Sequence, residues 1–174
     1  VVVGTIQYRK GQDIFSHLAD RLHLLGNIKV HFIGNIAPKF GGDKIVERLM
    51  KHSDIFIFHG HKNNALDYIH AADLCVLTSR SEAFPRTIAE YMFYGKPIIT
   101  SRVAGADEMI VNGKSGLLFD INNYDQLIKK INYVYSNYSD AELFGSNAKK
   151  RYHEKYSAKK QKNTFFEILD LEEV

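Results

Sequence analysis

Two glutamates eight residues apart, Glu82 and Glu90, carry the strongest chemical signal in the chain. They lie in Ser79-Arg80-Ser81-Glu82-Ala83-Phe84-Pro85-Arg86-Thr87-Ile88-Ala89-Glu90-Tyr91-Met92-Phe93-Tyr94-Gly95-Lys96-Pro97, which reads as a strand end, a loop and a helix. Pro85 suits the helix opening, because its fixed φ and missing N–H cost nothing in a first turn, and Gly95 with Pro97 marks the stop. Glu82 then falls in the loop, and Glu90 about a turn and a half into the helix. Glu90 is flanked by Ile88, Ala89, Tyr91, Met92, Phe93 and Tyr94, which favour burial, and leaving its charge unpaired there would cost several kcal/mol. Two readings stay open: Glu90 sits on the helix's one wet edge or pairs with a lysine, or it accepts hydrogen bonds from ligand hydroxyls. The helix amino terminus offers free N–H groups and the positive end of its dipole, a seat for phosphate that Arg86 could reinforce with a charged fork. Arg9 and Lys10 follow the first strand and reach the same edge if that strand is central. Two cations, a helix amino terminus and two carboxylates suit a ligand with both a diphosphate and sugar hydroxyls.

The elements that must position these residues follow from hydrophobic patterning. Short apolar runs at 1–5, 28–34, 54–60, 73–79, 97–101 and 116–119 predict strands, and helical spacing predicts helices near 12–25, 43–52, 63–71, 86–94, 106–111, 124–137, 140–155 and 158–171. The alternation of the two predicts an α/β fold with a parallel sheet. Continuous apolarity within the strands, rather than alternation, predicts helices on both faces, a doubly wound Rossmann-like layer structure. Beyond residue 120 the strands give out and Tyr- and Lys-rich amphipathic helices follow. Such a sheet binds ligands at the carboxyl ends of its strands.

Composition bounds the function. A length of 174 residues suits one domain. The first residue is Val, already inside an apolar run, so the chain is expected to be cut from something longer. With 23 Lys and Arg against 20 Asp and Glu, the net charge of +3 gives no support to nucleic-acid binding. No apolar run approaches the ~20 residues of a membrane span. The single Cys75 cannot form an internal disulfide, and its apolar setting fits a packing role in a reducing cytoplasm.

Other motifs fail. Gly4-Thr5-Ile6-Gln7-Tyr8-Arg9-Lys10-Gly11 lacks the glycine spacing of the dinucleotide fingerprint, and Gly113-Lys114-Ser115 lacks the upstream glycine of a phosphate loop and reads as a surface turn. His59-Gly60-His61 could point two imidazoles to one face but has no third metal ligand at local spacing, and Ser79 and Ser81 lack the hydrolase nucleophile turn.

Glu82, seven residues and Glu90, set in Thr-Ser-Arg-Ser-Glu-Ala-Phe-Pro and followed by Tyr-Met-Phe-Tyr-Gly-Lys-Pro-Ile-Ile-Thr-Ser, resembles the signature of the family 4 (group 1) glycosyltransferases. The remaining motifs agree in order. Gly4 to Gly11 resembles the family's opening Gly, Arg, spacer, Lys-Gly; His31-Phe32-Ile33-Gly34 its second strand; Phe58-His59-Gly60 the strand before its base-binding loop. Val103 to Ile110 and Asn112 to Leu118 resemble its closing Gly-Gly, Glu and Asn-Gly, Gly segments.

The resemblance implies a GT-B fold of two Rossmann-like domains, with residues 1–174 matching the C-terminal, nucleotide-sugar donor-binding half and the N-terminal acceptor-binding half lying outside them. It implies a retaining transfer from a UDP- or GDP-type sugar, with no metal or other cofactor, to a saccharide or lipid-linked acceptor in cell-surface polysaccharide or glycolipid synthesis. The implied location is cytoplasmic, with peripheral membrane association a property of the full-length protein. By analogy Glu82 and Lys10 are catalytic, Glu82 contacting the transferred sugar and Lys10 the diphosphate. Glu90 takes the ribose hydroxyls, N–H groups around Phe84, Arg86 and Thr87 cradle the phosphates, and His61 and Lys62 lie near the base. Gly105 shapes the sugar pocket. Thr5 departs from the pattern, since arginine usually follows the opening glycine, and Arg9 or Arg86 is expected to replace that cation. Ala104, where glycine is usual, is a smaller departure. A catalytically silent nucleotide-sugar-binding module and a GT-B sugar-nucleotide epimerase are the alternatives.

Overall fold

A computed structural model describes residues 1–157 and residue 160; the helix expected over 158–171 lies essentially outside them. Six strands fall inside the predicted ranges: β1 (Val2–Val3), β2 (Val30–Ile33), β3 (Phe56–Phe58), β4 (Cys75–Leu77), β5 (Ile98–Ser101) and β6 (Leu117–Phe119). They are shorter than their apolar runs, because lead-in residues such as Ile55 are buried for packing without belonging to a strand.

All the strand pairs are parallel and form two ladders, β1–β2–β3 and β4–β5–β6. The ladders abut at β1 and β4, where the Val76 N–H donates to the Val1 carbonyl at 2.9 Å. One residue further the seam is bridged by a side chain: the Tyr91 hydroxyl accepts from the Val3 N–H at 3.1 Å and donates to the Val76 carbonyl at 3.5 Å. Burial pushes the Tyr91 phenol well above its ordinary pKa, so the hydroxyl stays neutral and serves as both donor and acceptor. The strands thus run in the order 3-2-1-4-5-6, and the chain reverses its winding at this seam.

Both faces of the sheet are covered. Val2, Phe32, Phe56 and Val76 pack with Phe15, Leu22, Leu49 and Ile131 on one side, while Cys75, Leu77, Ile98 and Leu118 pack with Ile69, Ile88, Met92 and Met109 on the other. This bears out the reading of continuous apolarity as two-sided burial. The Cys75 thiol, fully buried, is pushed up to about 11 and is a packing residue.

The helices are α1 (Ala19–His23), α2 (Gly42–Leu49), α3 (Ala65–Ala71), α4 (Arg86–Phe93), α5 (Ala106–Met109), α6 (Tyr124–Ser136) and α7 (Tyr138–Lys155). The expected helix over 12–25 is a correction: residues Gln12–His17 form a tighter 3-10 run, and only the short α1 is α-helical. Its first turn is tethered from the side, since the Gln12 amide donates to the Thr5 carbonyl at 3.1 Å and its oxygen accepts from the Gln7 N–H at 3.3 Å. Pro85 is the extended residue ahead of α4 rather than its first helical one.

Candidate functional site

The loop after β1 is joined to the end of β4. Gly11, with φ +71°, lies so close to β4 that a Cβ on it would stand 2.0 Å from the Thr78 carbonyl oxygen. The Thr78 hydroxyl donates to the Lys10 carbonyl at 3.0 Å, and the Arg80 N–H donates to the Arg9 carbonyl at 2.8 Å. These contacts deliver Lys10 to Glu82, with Nζ 2.6 Å from Oε1. The Ser79 hydroxyl donates to the same oxygen at 2.7 Å, and Arg9 Nη1 lies 3.4 Å from Oε2 while also donating to the Ser81 carbonyl at 2.9 Å. The side chains of Glu82 and Lys10 are only 11% and 17% exposed, so their pairing is shielded from water. Burial alone would raise the Glu82 pKa, but hydrogen bonds from Lys10 and Ser79 and the charges of Lys10 and Arg9 outweigh it and hold the carboxyl below its usual range.

Arg80, within the same motif, holds this loop in place. Its guanidinium forks onto Asp13 at 2.7 and 2.8 Å, donates to the Tyr8 carbonyl and, through Nε, to Asn122 at 2.8 Å, and stacks 4.0 Å above the Tyr8 ring. The Asp13 partner is 67 residues away, and no sequence spacing relates the two. Losing a charged hydrogen-bond pair of this kind costs about 2 kcal/mol. Arg80→Met should therefore lower the melting temperature by roughly 4–8 °C, and combining it with Asp13→Asn should add little; additive losses in a thermal double-mutant cycle would show that the pair does not act as a unit.

Glu90 contrasts with Glu82. It lies on α4 next to Tyr91 and two residues from the buried Ile88 and Met92, and it is half-buried. No ion pair or side-chain hydrogen bond is made by its carboxylate among the described residues, so the lysine pairing left open by the sequence does not occur there. Burial raises its pKa, and the charge of Arg86, one turn earlier, only partly opposes this. Arg86 is exposed and makes no ion pair among the described residues. No side chain caps the amino terminus of α4, and the first helical N–H with a carbonyl partner is that of Ile88, leaving those of Arg86 and Thr87 open to a ligand.

Gly105, with φ +78°, packs under the same loop: a Cβ there would stand 3.0 Å from the Ala83 carbonyl oxygen and 3.1 Å from the Pro85 ring. Phe84 is partly exposed, its ring tilted against Tyr156 at 6.0 Å. His61 and Lys62 follow β3; His61 contacts Asn63 at 3.2 Å. His59 turns away to share a 2.8 Å hydrogen bond with His31, so the two imidazoles of His59-Gly60-His61 do not act together. The structure therefore brings Arg9, Lys10, Ser79 and Glu82 into one cluster, while His61 and Lys62 stand on the loop after β3, two strands from β1. Ser79 and Arg80 are the site residues whose roles sequence reasoning missed: both lie within the motif, Ser79 donating to Glu82 three residues on, whereas the Arg80 partners Tyr8 and Asp13 come from a distant segment.

A doubly wound parallel sheet whose chain reverses its winding between β1 and β4 defines a Rossmann-like fold. The chain belongs to the glycosyl transferases group 1 family, whose profile matches residues 1–151. It is 28% identical over 149 residues to an uncharacterized glycosyltransferase of Methanocaldococcus jannaschii, covering 84% of this chain and 41% of that protein. It is 23% identical over 132 residues to the capsular polysaccharide biosynthesis glycosyltransferase CapM of Staphylococcus aureus, covering 76% of this chain and 35% of that one. Among solved structures, Anabaena HepE in complex with UDP superposes with a TM-score of 0.86 at 23% identity, over 97% of this chain and 48% of HepE. The fold is that of GT-B glycosyltransferases, and the chain spans less than half the length of each of these proteins.

Proposed function

We propose that residues 1–174 form the donor-binding domain of a retaining glycosyltransferase that moves a sugar from a nucleoside-diphosphate carrier to a saccharide or lipid-linked acceptor in cell-surface polysaccharide or glycolipid synthesis. A second domain would supply the acceptor contacts, so the isolated domain would bind donor without efficient transfer; the partial coverage of the relatives supports this. The UDP and UDP-glucose complexes of HepE and the capsular role in the name of CapM favour the donor class and the pathway type. The observation that carries the reading is Glu90: a half-buried carboxylate with no partner among the described residues, one turn inside a helix whose first N–H groups are free.

In this reading the ribose hydroxyls donate to Glu90. The diphosphate lies between the amino terminus of α4 and Lys10, and Arg9 takes the place of the arginine missing at Thr5, because Arg9 reaches the Glu82 cluster whereas Arg86 stays outside it. Glu82, kept ionised by Lys10 and Arg9, faces the transferred sugar and favours positive charge developing at its anomeric carbon. The departing diphosphate is stabilised by Lys10, Arg9 and helix N–H groups without a metal, a preorganised electrostatic effect worth several kcal/mol once the cleft excludes water.

UDP, GDP or ADP at about 100 times its Kd should stabilise the domain by roughly 2.7 kcal/mol, a rise of about 5–11 °C in melting temperature. No shift with any of the three would remove the donor-site assignment. In the full-length enzyme Glu82→Ala should lower kcat at least about tenfold with donor KM little changed. An unchanged kcat would take Glu82 out of the mechanism, and absence of transfer in the parent enzyme would favour the silent binding module.

A further inference from the structure

The sheet edge beneath Glu82 carries a run of buried hydroxyls. Thr78, Ser79, Thr100 and Ser101 stand at the carboxyl ends of β4 and β5, and none is more than 4% exposed. A buried hydroxyl costs free energy unless it is hydrogen-bonded, so the partner that each one takes is informative. Thr78 holds the β1 loop through the Lys10 carbonyl, and the Thr100 hydroxyl turns onto the Ser101 carbonyl of its own strand at 3.2 Å. Ser101 and Ser79 instead form a line that ends on Glu82. The Ser101 hydroxyl donates to the Ser79 carbonyl at 2.6 Å, and the Ser79 hydroxyl donates to Glu82 Oε1 at 2.7 Å.

This line exists because the ladder stops. The pairing of β4 with β5 ends at Leu77 and Thr100, and by the alternation of a parallel ladder the next N–H due to the Ser79 carbonyl is that of Val103. The Val103 N–H folds back onto the Ser101 carbonyl at 2.9 Å instead, while the Arg102 N–H bonds to Phe119 on the β6 side. A buried carbonyl must still be satisfied, and the Ser101 hydroxyl takes the place of the missing N–H. It thereby fixes the main chain of Ser79, two residues past the end of β4.

At Glu82 the result is an asymmetric carboxylate. Oε1 accepts from Lys10 at 2.6 Å and from Ser79 at 2.7 Å, which engages the lone pairs of that oxygen, whereas Oε2 meets only Arg9, at 3.4 Å. Two donors from separate segments also fix the rotation of the carboxylate plane. We infer that Ser79 and Ser101 are positioning residues for Glu82: with Lys10 they commit Oε1 to the protein and leave Oε2 as the oxygen presented to the transferred sugar. This rests on the donor-domain reading. Both serines are fully buried and act through Glu82 rather than on the substrate. A carboxylate that stabilises developing charge must be in place before the reaction, and a misplacement of about 1 Å can cost about a hundredfold in rate. Removing the Ser79 hydroxyl frees the carboxylate to turn about Lys10, and removing that of Ser101 lets the segment that carries Ser79 drift.

The test uses the full-length enzyme, with transfer measured first in the parent. Ser79→Ala and Ser101→Ala should each lower kcat about tenfold while donor KM changes by less than about twofold. The double variant should lose about tenfold rather than a hundredfold, and neither change should lower kcat further in a Glu82→Ala background, because residues on one line do not add. Thr100→Val is the control. It removes an equally buried hydroxyl that does not reach Ser79, and it should leave kcat within about twofold of the parent. A carbon NMR titration of the Glu82 carboxyl gives a readout independent of transfer: loss of the Ser79 hydrogen bond should raise its pKa in Ser79→Ala. Unchanged kcat in either serine variant, losses that multiply, a Thr100→Val loss equal to that of Ser101→Ala, or an unmoved Glu82 titration would each overturn the proposal. Absence of transfer in the parent would overturn the donor-domain reading and this inference with it, whereas a transferring parent with indifferent serines overturns the inference alone.

Discussion

Glu90→Ala is expected to weaken nucleoside-diphosphate binding about a hundredfold while leaving the ligand-free domain at least as stable as the parent. Two hydrogen bonds from ribose hydroxyls to a charged acceptor contribute about 1.5–3 kcal/mol each, and losing even about 3 kcal/mol is at least about a factor of a hundred in Kd. The stability half follows from the missing partner. Burial raises the Glu90 pKa, so the fold disfavours its charged form, and above the ordinary carboxyl pKa this group works against folding. As pH falls through the raised value the folded state takes up the proton first, and the ligand-free domain gains stability from this residue. Nucleotide affinity should fall over the same interval, because the carboxylate is being lost. Glu82, held below its usual range by Lys10, Ser79 and Arg9, stays ionised there. Calorimetric titration of the parent and Glu90→Ala with UDP between pH 7 and 5, with melts of both proteins without ligand, measures each part. An unchanged Kd would make Glu90 a core-edge residue, and a clear loss of ligand-free stability would mean that it has a structural partner.

Gly11→Ala should have the largest effect on the fold. The added Cβ would stand 2.0 Å from the Thr78 carbonyl oxygen and 2.9 Å from its carbon, with φ at +71°. The left-handed conformation alone costs about 1–2 kcal/mol for a residue with a Cβ. The overlap is with backbone, which cannot rotate aside as a flexible side chain can. The β1 loop must therefore lift from β4 and give up the hydrogen bonds from Thr78 to Lys10 and from Arg80 to Arg9. We expect a loss above about 4 kcal/mol, or roughly 8–16 °C in melting temperature. Lys10 would leave Glu82 with the loop, so nucleotide affinity should fall as well. Gly41→Ala is the control: φ is +80° and nothing lies within 4 Å of the added Cβ. It should cost only the conformational part, about 1–2 kcal/mol. Similar melting temperatures for the two variants would show that the close approach at Gly11 is not maintained in solution.

The residues that were easy to read and those that were not differ in how local their causes are. The six strands, the two-sided core and α4 followed from apolar runs and from Pro85, Gly95 and Pro97, because burial of a strand or one helix face leaves its period in consecutive residues. The apolar spacing over Gln12–His17 is helical and predicts an α-helix where the structure has a 3-10 run; the tethers that tighten it, from Gln12 to Thr5 and Gln7, are side-chain choices that periodicity does not record. Tyr91 was legible as buried but not as the bridge between Val3 and Val76, since that role exists only where β1 and β4 are adjacent.

The same distinction divides the site. By itself the sequence determined that two carboxylates, a helix amino terminus and two cations after the first strand belong to one sheet edge, since strand direction and helix start are local properties. The tertiary structure decided their states. It placed Lys10 on Glu82 across 72 residues of chain, left Glu90 half-buried without a partner among the described residues, and put Arg9 inside the cluster and Arg86 outside it. A charge's pKa depends on which groups lie within a few ångströms and how much water they exclude. In this fold those neighbours are set by the meeting of β1 with β4, a contact between segments more than seventy residues apart.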